Sequence, residues 1–75
     1  MTLLDVDHGR PFRILTIADD RARAQCTRFG IGEGSVVESA ETLPLGPVLV
    51  RHFSQELCLG RRLAARITVE SVEHA

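Results

Sequence analysis

One stretch of the sequence, residues 19–30, has the pattern of a single amphipathic helix with a defined start and end. Asp19 or Asp20 offers a side-chain oxygen that can cap the first turn. The apolar residues then recur at helical spacing: Ala22, Cys26 and Phe29. Gly30 suits the left-handed residue that ends a helix, and Ile31 can pack back against the last turn. The rest of the fold must therefore accommodate one short helix.

The other regular segments are short, and most of them have the composition of strands. The predicted strands cover residues 10–17, 35–42, 48–53, 56–59 and 66–70. The second of these has an irregular polar pattern, so we expect it to bend or to lie at a sheet edge. Residues 61–65 have the pattern of one helical turn.

This order of elements predicts one mainly β domain over residues 1–75. It has about five short antiparallel strands, one short α-helix after the first strand and a single helical turn before the last. Closure removes exposed strand edges, so we expect a small SH3-like barrel. A chain of 75 residues has a small core, which leaves no room for a second domain or a large enzyme cleft.

The hairpin formed by residues 48–53 and 56–59 has two registers that the pattern does not separate. A two-residue turn at Ser54 and Gln55 pairs His52 with Leu57 and Val50 with Leu59. It gives one apolar face, made of Val48, Val50, Leu57 and Leu59. A three-residue turn gathers Leu49, Phe53, Leu57 and Leu59 instead.

The charged residues exclude several functions. Nine basic residues stand against ten acidic ones, so no global field draws the chain to nucleic acid or to an anionic membrane. All the basic residues are arginines, and the lack of lysine excludes a P-loop and Schiff-base catalysis. Arg51, Arg61, Arg62 and Arg66 could form a basic stripe, but only three phenylalanines are available to stack bases. We therefore expect no nucleic-acid partner.

The cysteines and histidines are too widely separated to predict a metal site. Cys26 and Cys58 lack the close spacing of zinc ligands, and we expect both to be small, buried residues with free thiols. The histidines lie in separate segments, at His8, His52 and His74. No three ligands converge by spacing, so we expect no metal and no other cofactor.

Two further patterns resemble catalytic or nucleotide-binding motifs only superficially. Residues 52–56 contain His, Ser and Glu, but a hairpin tip supplies no pocket that would align a nucleophile with a base. The glycines of residues 30–34 follow the helix, whereas a phosphate binds at a helix N-terminus. We therefore predict that the protein is not an enzyme.

The N-terminal residues and the longest apolar run bear on localisation. Asp5 and Asp7 stand where a signal peptide needs a basic start and a long apolar stretch, so we expect the chain to be cytoplasmic. The run over residues 43–50 is interrupted by proline and glycine and is far shorter than the roughly 20 residues of a spanning helix. We expect no direct membrane insertion.

Residues 43–47 form a loop that carries two leucines between prolines and a glycine. A small core has little space for both leucines, so the loop is a candidate contact patch for another protein. The predicted contact residues are Leu43, Pro44, Leu45 and Pro47. The prolines would lower the entropy cost of docking. The alternative is that Leu43 or Leu45 plugs one end of the barrel.

Glycine and aliphatic residues recur at positions that span nearly the whole chain. These positions are Gly9, Ile14, Ile17, Phe29, Gly30, Ile31, Gly34, Val36, the Pro-Leu-Gly-Pro of 44–47, Leu57, Cys58, Leu59, Ala64, Ile67, Thr68 and Val69. This spacing resembles that of the FeoA family, although the family pattern is usually aliphatic at Cys26 and His52. The resemblance favours the two-residue turn, with His52 pointing inward beside Val48 and Val50.

The resemblance implies a cytoplasmic SH3-like barrel that assists FeoB, a membrane ferrous iron transporter with its own cytosolic GTP-binding domain. The chain would then be an accessory adaptor that acts by protein–protein contact. The same barrel resembles the C-terminal domain of iron-dependent repressors, so the alternative is a regulatory module on a DNA-binding partner. A small RNA-binding barrel is a third hypothesis. The edge strands of such a barrel also favour self-association.

Overall fold

The structure is a computed structural model that describes residues 1–6 and 9–72. A 3-10 turn over Leu3–Asp5 precedes strands β1 (Phe12–Ile17), β2 (Val36–Val37), β3 (Ser39–Thr42), β4 (Val48–His52), β5 (Gln55–Leu59) and β6 (Ile67–Ser71). Helix α1 (Asp20–Arg28) follows β1, and helix α2 (Arg61–Ala64) precedes β6. The strands form two three-stranded antiparallel sheets, ordered β2-β1-β6 and β3-β4-β5. The predicted mainly β class, the early helix and the late helical turn are confirmed.

The described residues form six strands where the sequence predicted about five, because the segment 35–42 divides in two. β2 pairs with β1 in the first sheet, and β3 pairs with β4 in the second. The chain changes sheets at Glu38, and residues of both sheets enter one buried core. The predicted bend is therefore the corner at which the chain leaves the first sheet and enters the second.

A β-bulge at Leu15 determines which residues of β1 face the core. Ile14 pairs with Val69 of β6. The next pair joins Thr16 to Thr68, so Leu15 has no partner in the ladder. The extra residue changes the phase of the alternation, and the buried residues are Phe12, Ile14 and Ile17.

Helix α1 begins and ends where the sequence predicts. The Asp19 carboxylate accepts a hydrogen bond from the backbone N–H of Arg21 at 2.8 Å. At the other end, Gly30 has a φ of 72°, and the N–H of Ile31 donates to the Cys26 carbonyl at 2.9 Å. Ile31 belongs to the buried core cluster, as expected of the apolar residue that follows such a helix end.

The turn between β4 and β5 lies one residue earlier than predicted. His52 pairs with Gln55, so the two turn residues are Phe53 and Ser54. The predicted pairs of His52 with Leu57 and of Val50 with Leu59 are wrong, since Leu57 pairs with Val50. Each pair moves by two residues, and side chains alternate with a period of two, so every side chain keeps its predicted face. The apolar face is the one expected of a two-residue turn: Val48, Val50, Leu57 and Leu59 are buried.

His52 and Cys58 lie on opposite faces of this hairpin. His52 is 8% exposed and points inward with the other buried residues of β4, which confirms its predicted orientation. Cys58 alternates with the two buried leucines of β5 and is therefore exposed. The prediction that both cysteines are buried is right for Cys26 and wrong for Cys58.

The core is apolar and draws on every part of the fold. Phe12 and Ile67 come from the first sheet, and Leu59 comes from the second. Leu3 enters from the 3-10 turn, and Ile31 enters from the segment after α1. Each of these five side chains is less than 2% exposed. One shared core therefore joins the two sheets, the 3-10 turn and the segment after α1.

Candidate functional site

The predicted contact patch is the loop between β3 and β4, residues 43–47, which we call the contact loop. The N–H of Leu43 donates to the Pro47 carbonyl at 3.1 Å and closes the base of the loop. The N–H of Gly46 donates to the Leu43 carbonyl at 3.0 Å and closes a turn inside it. Two backbone hydrogen bonds and two prolines therefore hold the contact loop in a defined shape.

Leu45 stands at the tip of the contact loop. Its side chain is 100% exposed, and its backbone has a φ of 55°. The left-handed conformation costs about 1–2 kcal/mol for a residue with a Cβ atom. Because Leu45 is fully exposed, no burial of its side chain within the described residues offsets this backbone strain. Backbone strain of this kind is typical of functional positions.

The other predicted contact residues lie nearer the base of the loop. Pro44 is exposed, whereas Leu43 and Pro47 are half-buried. A Cβ atom at position 46 would lie 3.3 Å from the Cβ of Leu43, so glycine allows the turn to close over this side chain. Full exposure shows that Leu45 does not plug the end of the fold, and that alternative is wrong for this residue.

A second exposed apolar residue, Phe53, was missed by the sequence reasoning. It occupies the first position of the β4–β5 turn with a φ of 56° and is 75% exposed. Its ring lies 4.5 Å from that of His52, at an interplanar angle of 58°. Asn and Gly usually mark such turns. Because the sequence has neither there, no local pattern indicated that Phe53 leaves the strand.

The two exposed tips lie at opposite ends of β4. The contact loop precedes Val48, and the turn of Phe53 follows His52. Five strand residues at about 3.3 Å each separate them. Leu45 and Phe53 are therefore two separate exposed apolar positions, roughly 17 Å apart along β4.

The comparison with known families decides which family the chain belongs to. A model described as the FeoA domain matches residues 1–71. The chain belongs to the FeoA domain family. No curated protein and no solved structure matches it. Membership of the family implies a role in ferrous iron transport.

A role in iron transport raises two structural questions about this FeoA domain: whether it has a membrane-spanning helix and whether it has a metal site. Within residues 1–6 and 9–72, no helix has the length and apolar character needed to cross a bilayer. The same residues contain no group of three or more His, Cys, Asp or Glu side chains placed to hold a metal ion. His8 and His74 lie outside the described residues.

The residues that resemble a hydrolase set are not brought together. His52 points into the core, whereas Ser54 is exposed at the turn. Glu56 is exposed and lies 3.6 Å from the Arg51 guanidinium. The hairpin therefore places His52 on the inner face, Glu56 on the outer face and Ser54 in the turn.

The glycine-rich segment after α1 in this FeoA domain positions a carboxylate. Glu33 Oε2 accepts a hydrogen bond from the backbone N–H of Ile17 at 3.0 Å and one from Arg23 Nη2 at 3.2 Å. The same Arg23 nitrogen donates to the Ile17 carbonyl at 2.7 Å. The backbone hydrogen bond from Ile17 and then the contact with Arg23 lower the pKa of Glu33. This segment joins the end of β1 to α1, which gives the glycines a structural role.

The four arginines that were considered as a basic stripe do not lie along one strand. Arg51 is on β4 next to the Phe53 turn, at the end of the sheet away from the contact loop. Arg61 and Arg62 are on α2, which begins just after β5 ends, and Arg66 follows α2. Arg61 and Arg62 therefore follow the end of the second sheet where the contact loop lies, whereas Arg66 lies beside the end of β1 in the first sheet.

Proposed function

We propose that this FeoA domain is a cytoplasmic, non-enzymatic accessory protein of ferrous iron transport that acts by contact with the membrane transporter FeoB. The contact loop supplies the docking residues Leu43, Pro44, Leu45 and Pro47. The observation that supports this most is Leu45, which is fully exposed on a left-handed backbone at the tip of a hydrogen-bonded loop.

The contact loop has the physical properties of a docking element. Burial of one leucine side chain against a partner contributes roughly 1.5–3 kcal/mol. The loop is already shaped by two backbone hydrogen bonds and flanked by prolines, so little conformational entropy is lost on docking. Leu45 is therefore the residue whose truncation should weaken the contact most.

Contact alone is sufficient for the accessory role. If the domain binds one conformation of the transporter more tightly than another, it shifts the population by that difference in binding free energy, typically about 1–3 kcal/mol. This mechanism needs no catalytic group and no resident cofactor in this chain. The transported ferrous ion is the cargo of the partner.

The test is ferrous iron uptake in cells of the source organism that lack this chain. Rescue by the native sequence is compared with rescue by Leu45→Asp, which places a charge on the surface that docks. Ser54→Asp is the matched control, because it adds the same charge at the other exposed turn. We expect the native chain and Ser54→Asp to restore uptake and Leu45→Asp to fail while remaining folded by circular dichroism.

Two results would contradict the proposal. Unchanged uptake after deletion removes the transport role and favours the regulatory module related to iron-dependent repressors. Equal rescue by Leu45→Asp and the native chain keeps a role in transport but removes the contact loop as its docking element.

A further inference from the structure

We infer that an open cleft between the start of α1 and helix α2 is a docking site for carboxylates on a protein partner. The cleft is lined by Arg21, Arg62 and Arg66, together with Asp19 and Asp20, and we call it the arginine cleft. This inference rests on the proposed function, because it specifies the chemistry of the partner surface that the contact loop meets.

Three separate elements bring the arginines together. Arg21 is in the first turn of α1, and Arg62 is on α2. Arg66 is held in place because its carbonyl accepts a hydrogen bond from the N–H of Ala18 at 2.9 Å, and its own N–H donates to the Leu63 carbonyl at 3.0 Å. The cleft is therefore a product of the tertiary fold, since Arg21 and Arg66 are 45 positions apart in the sequence.

The three guanidinium groups are exposed and free to bind within the described part of the chain. The ion pairs among residues 1–6 and 9–72 involve Arg13, Arg23 and Arg51, and no arginine of the cleft. The Asp19 carboxylate is occupied by the first backbone N–H groups of α1. Guanidinium groups recognise carboxylates through paired hydrogen bonds and are enriched in protein interfaces.

The charges of the cleft fit a protein better than a polyanion. Asp19 and Asp20 lie in the same cleft and would repel the uniform charge of nucleic acid or of an anionic bilayer. A protein surface can place carboxylates opposite the arginines and a basic or neutral group opposite the aspartates. The aromatic side chain that could stack a base, Phe53, is at the far end of β4.

Helix α2, which lines one side of the arginine cleft, begins at the end of the second sheet where the contact loop lies. Val48, the first residue after the contact loop, pairs with Leu59 of β5. Gly60 and α2 follow Leu59 directly. Protein interfaces typically combine an apolar core with a polar rim, so the partner surface should carry an apolar pocket for Leu45 and, toward α2, Asp or Glu side chains for the arginine cleft.

The first experiment tests the cleft without the transporter. An acetylated peptide of six glutamates is titrated into the ¹⁵N-labelled chain at low salt, and amide shifts are followed by NMR. We expect saturable shifts confined to residues 18–22 and 61–66, and an affinity for Arg62→Glu that is weaker by roughly tenfold, which corresponds to about 1.4 kcal/mol. Arg28→Glu is the matched control, because it makes the same charge change at the other end of α1, and it should change affinity less than about twofold.

Three outcomes of this titration overturn the inference. One is the absence of localised shifts, and another is an equal loss of affinity in Arg62→Glu and Arg28→Glu. The third is tighter binding to phosphatidylglycerol vesicles than to the peptide with the same dependence on Arg62, which would assign the cleft to a membrane surface.

The uptake assay separates this inference from the proposed function. Full rescue by Arg62→Glu together with failed rescue by Leu45→Asp would leave the contact loop as the docking element and remove the arginine cleft from the interface. Failed rescue by Arg62→Glu, with full rescue by Arg28→Glu, is the result expected if carboxylates of the partner bind in the cleft.

Discussion

The backbone N–H of Ile17 donates a hydrogen bond to the Glu33 carboxylate at 3.0 Å, and this contact joins the last residue of β1 to the turn that follows α1. Arg23 reinforces it by donating to both the Glu33 carboxylate and the Ile17 carbonyl. The contact holds the first sheet, α1 and the glycine-rich turn in a fixed arrangement, although it lies at the surface.

This contact predicts part of the acid sensitivity of the fold. The pKa of Glu33 is lowered by the Ile17 N–H and by Arg23, so the folded state binds the proton less readily than the unfolded chain. The stabilising contribution is complete above the unfolded pKa and is lost as the pH falls through the folded pKa. Glu33→Gln should therefore lower the melting temperature at neutral pH and reduce the dependence of stability on pH on the acid side.

The measurement is thermal unfolding from pH 7 to pH 3 for the native chain and for Glu33→Gln. Glu41→Gln, at an exposed position of β3, is the control. Parallel stability–pH curves for the native chain and Glu33→Gln would show that the Ile17–Glu33 contact has no role in acid unfolding.

The left-handed backbone at Leu45 predicts how two substitutions change the stability of the fold. Leu45→Gly removes a left-handed backbone cost of about 1–2 kcal/mol and adds about 0.5–1 kcal/mol of backbone entropy cost, so the free energy of unfolding should be unchanged or higher by up to about 1.5 kcal/mol. Leu45→Val should be less stable than the native chain, because a β-branched residue fits a φ of 55° poorly. Urea unfolding measures both, and a glycine variant less stable than the valine variant would contradict the assigned backbone conformation.

Two glycines after α1 provide a pair of variants that tests how the helix ends. Gly30 has a φ of 72°, whereas Gly32 is outside the left-handed region, and neither position has an atom within 4 Å of an added Cβ. Gly30→Ala should cost about 1 kcal/mol of unfolding free energy, while Gly32→Ala should be neutral or slightly stabilising. Equal effects in denaturant unfolding would show that the helix does not end in the left-handed residue described.

The cysteines should differ in reactivity. Cys58 is exposed on β5, whereas Cys26 is buried and burial raises the pKa of its thiol. In the native protein a maleimide should therefore modify Cys58 within minutes and Cys26 only on unfolding. Mass spectrometry of the intact chain measures this, with Cys58→Ser as the control that should remain unmodified. Rapid double labelling of the native protein would place Cys26 at the surface.

The register of the β4–β5 hairpin shows how far the sequence predicts this fold. Alternation left two inner faces open for β4 and β5, and the resemblance to the FeoA family favoured the observed one, in which Val48, Val50, His52, Leu57 and Leu59 are buried. The observed pairing differs from that prediction by two residues, which leaves every side chain on the predicted side. Alternation did not locate the turn. Phe53 takes a left-handed backbone that composition does not favour, so only the pairing of His52 with Gln55 reveals it.

The candidate site was predicted in part. Proline and glycine in residues 43–47 correctly predicted a loop, since their backbone preferences are local. Whether Leu45 enters the core depends on how much space the other core residues leave, which no local pattern encodes. The arginine cleft could not be found from spacing, because Arg21 and Arg62 are brought together by the packing of α1 near α2.

By itself the amino-acid sequence determined the approximate positions of the strands and helices, the limits of α1 and the family, because caps, glycine conformations and alternation act over a few residues. Only the tertiary structure decided where the chain changes sheets at Glu38, that the bulge at Leu15 shifts β1, that Cys58 is exposed and that Leu45 stands free. These features depend on the register between distant strands and on the competition of side chains for one small core, and both are settled only when the whole chain has folded.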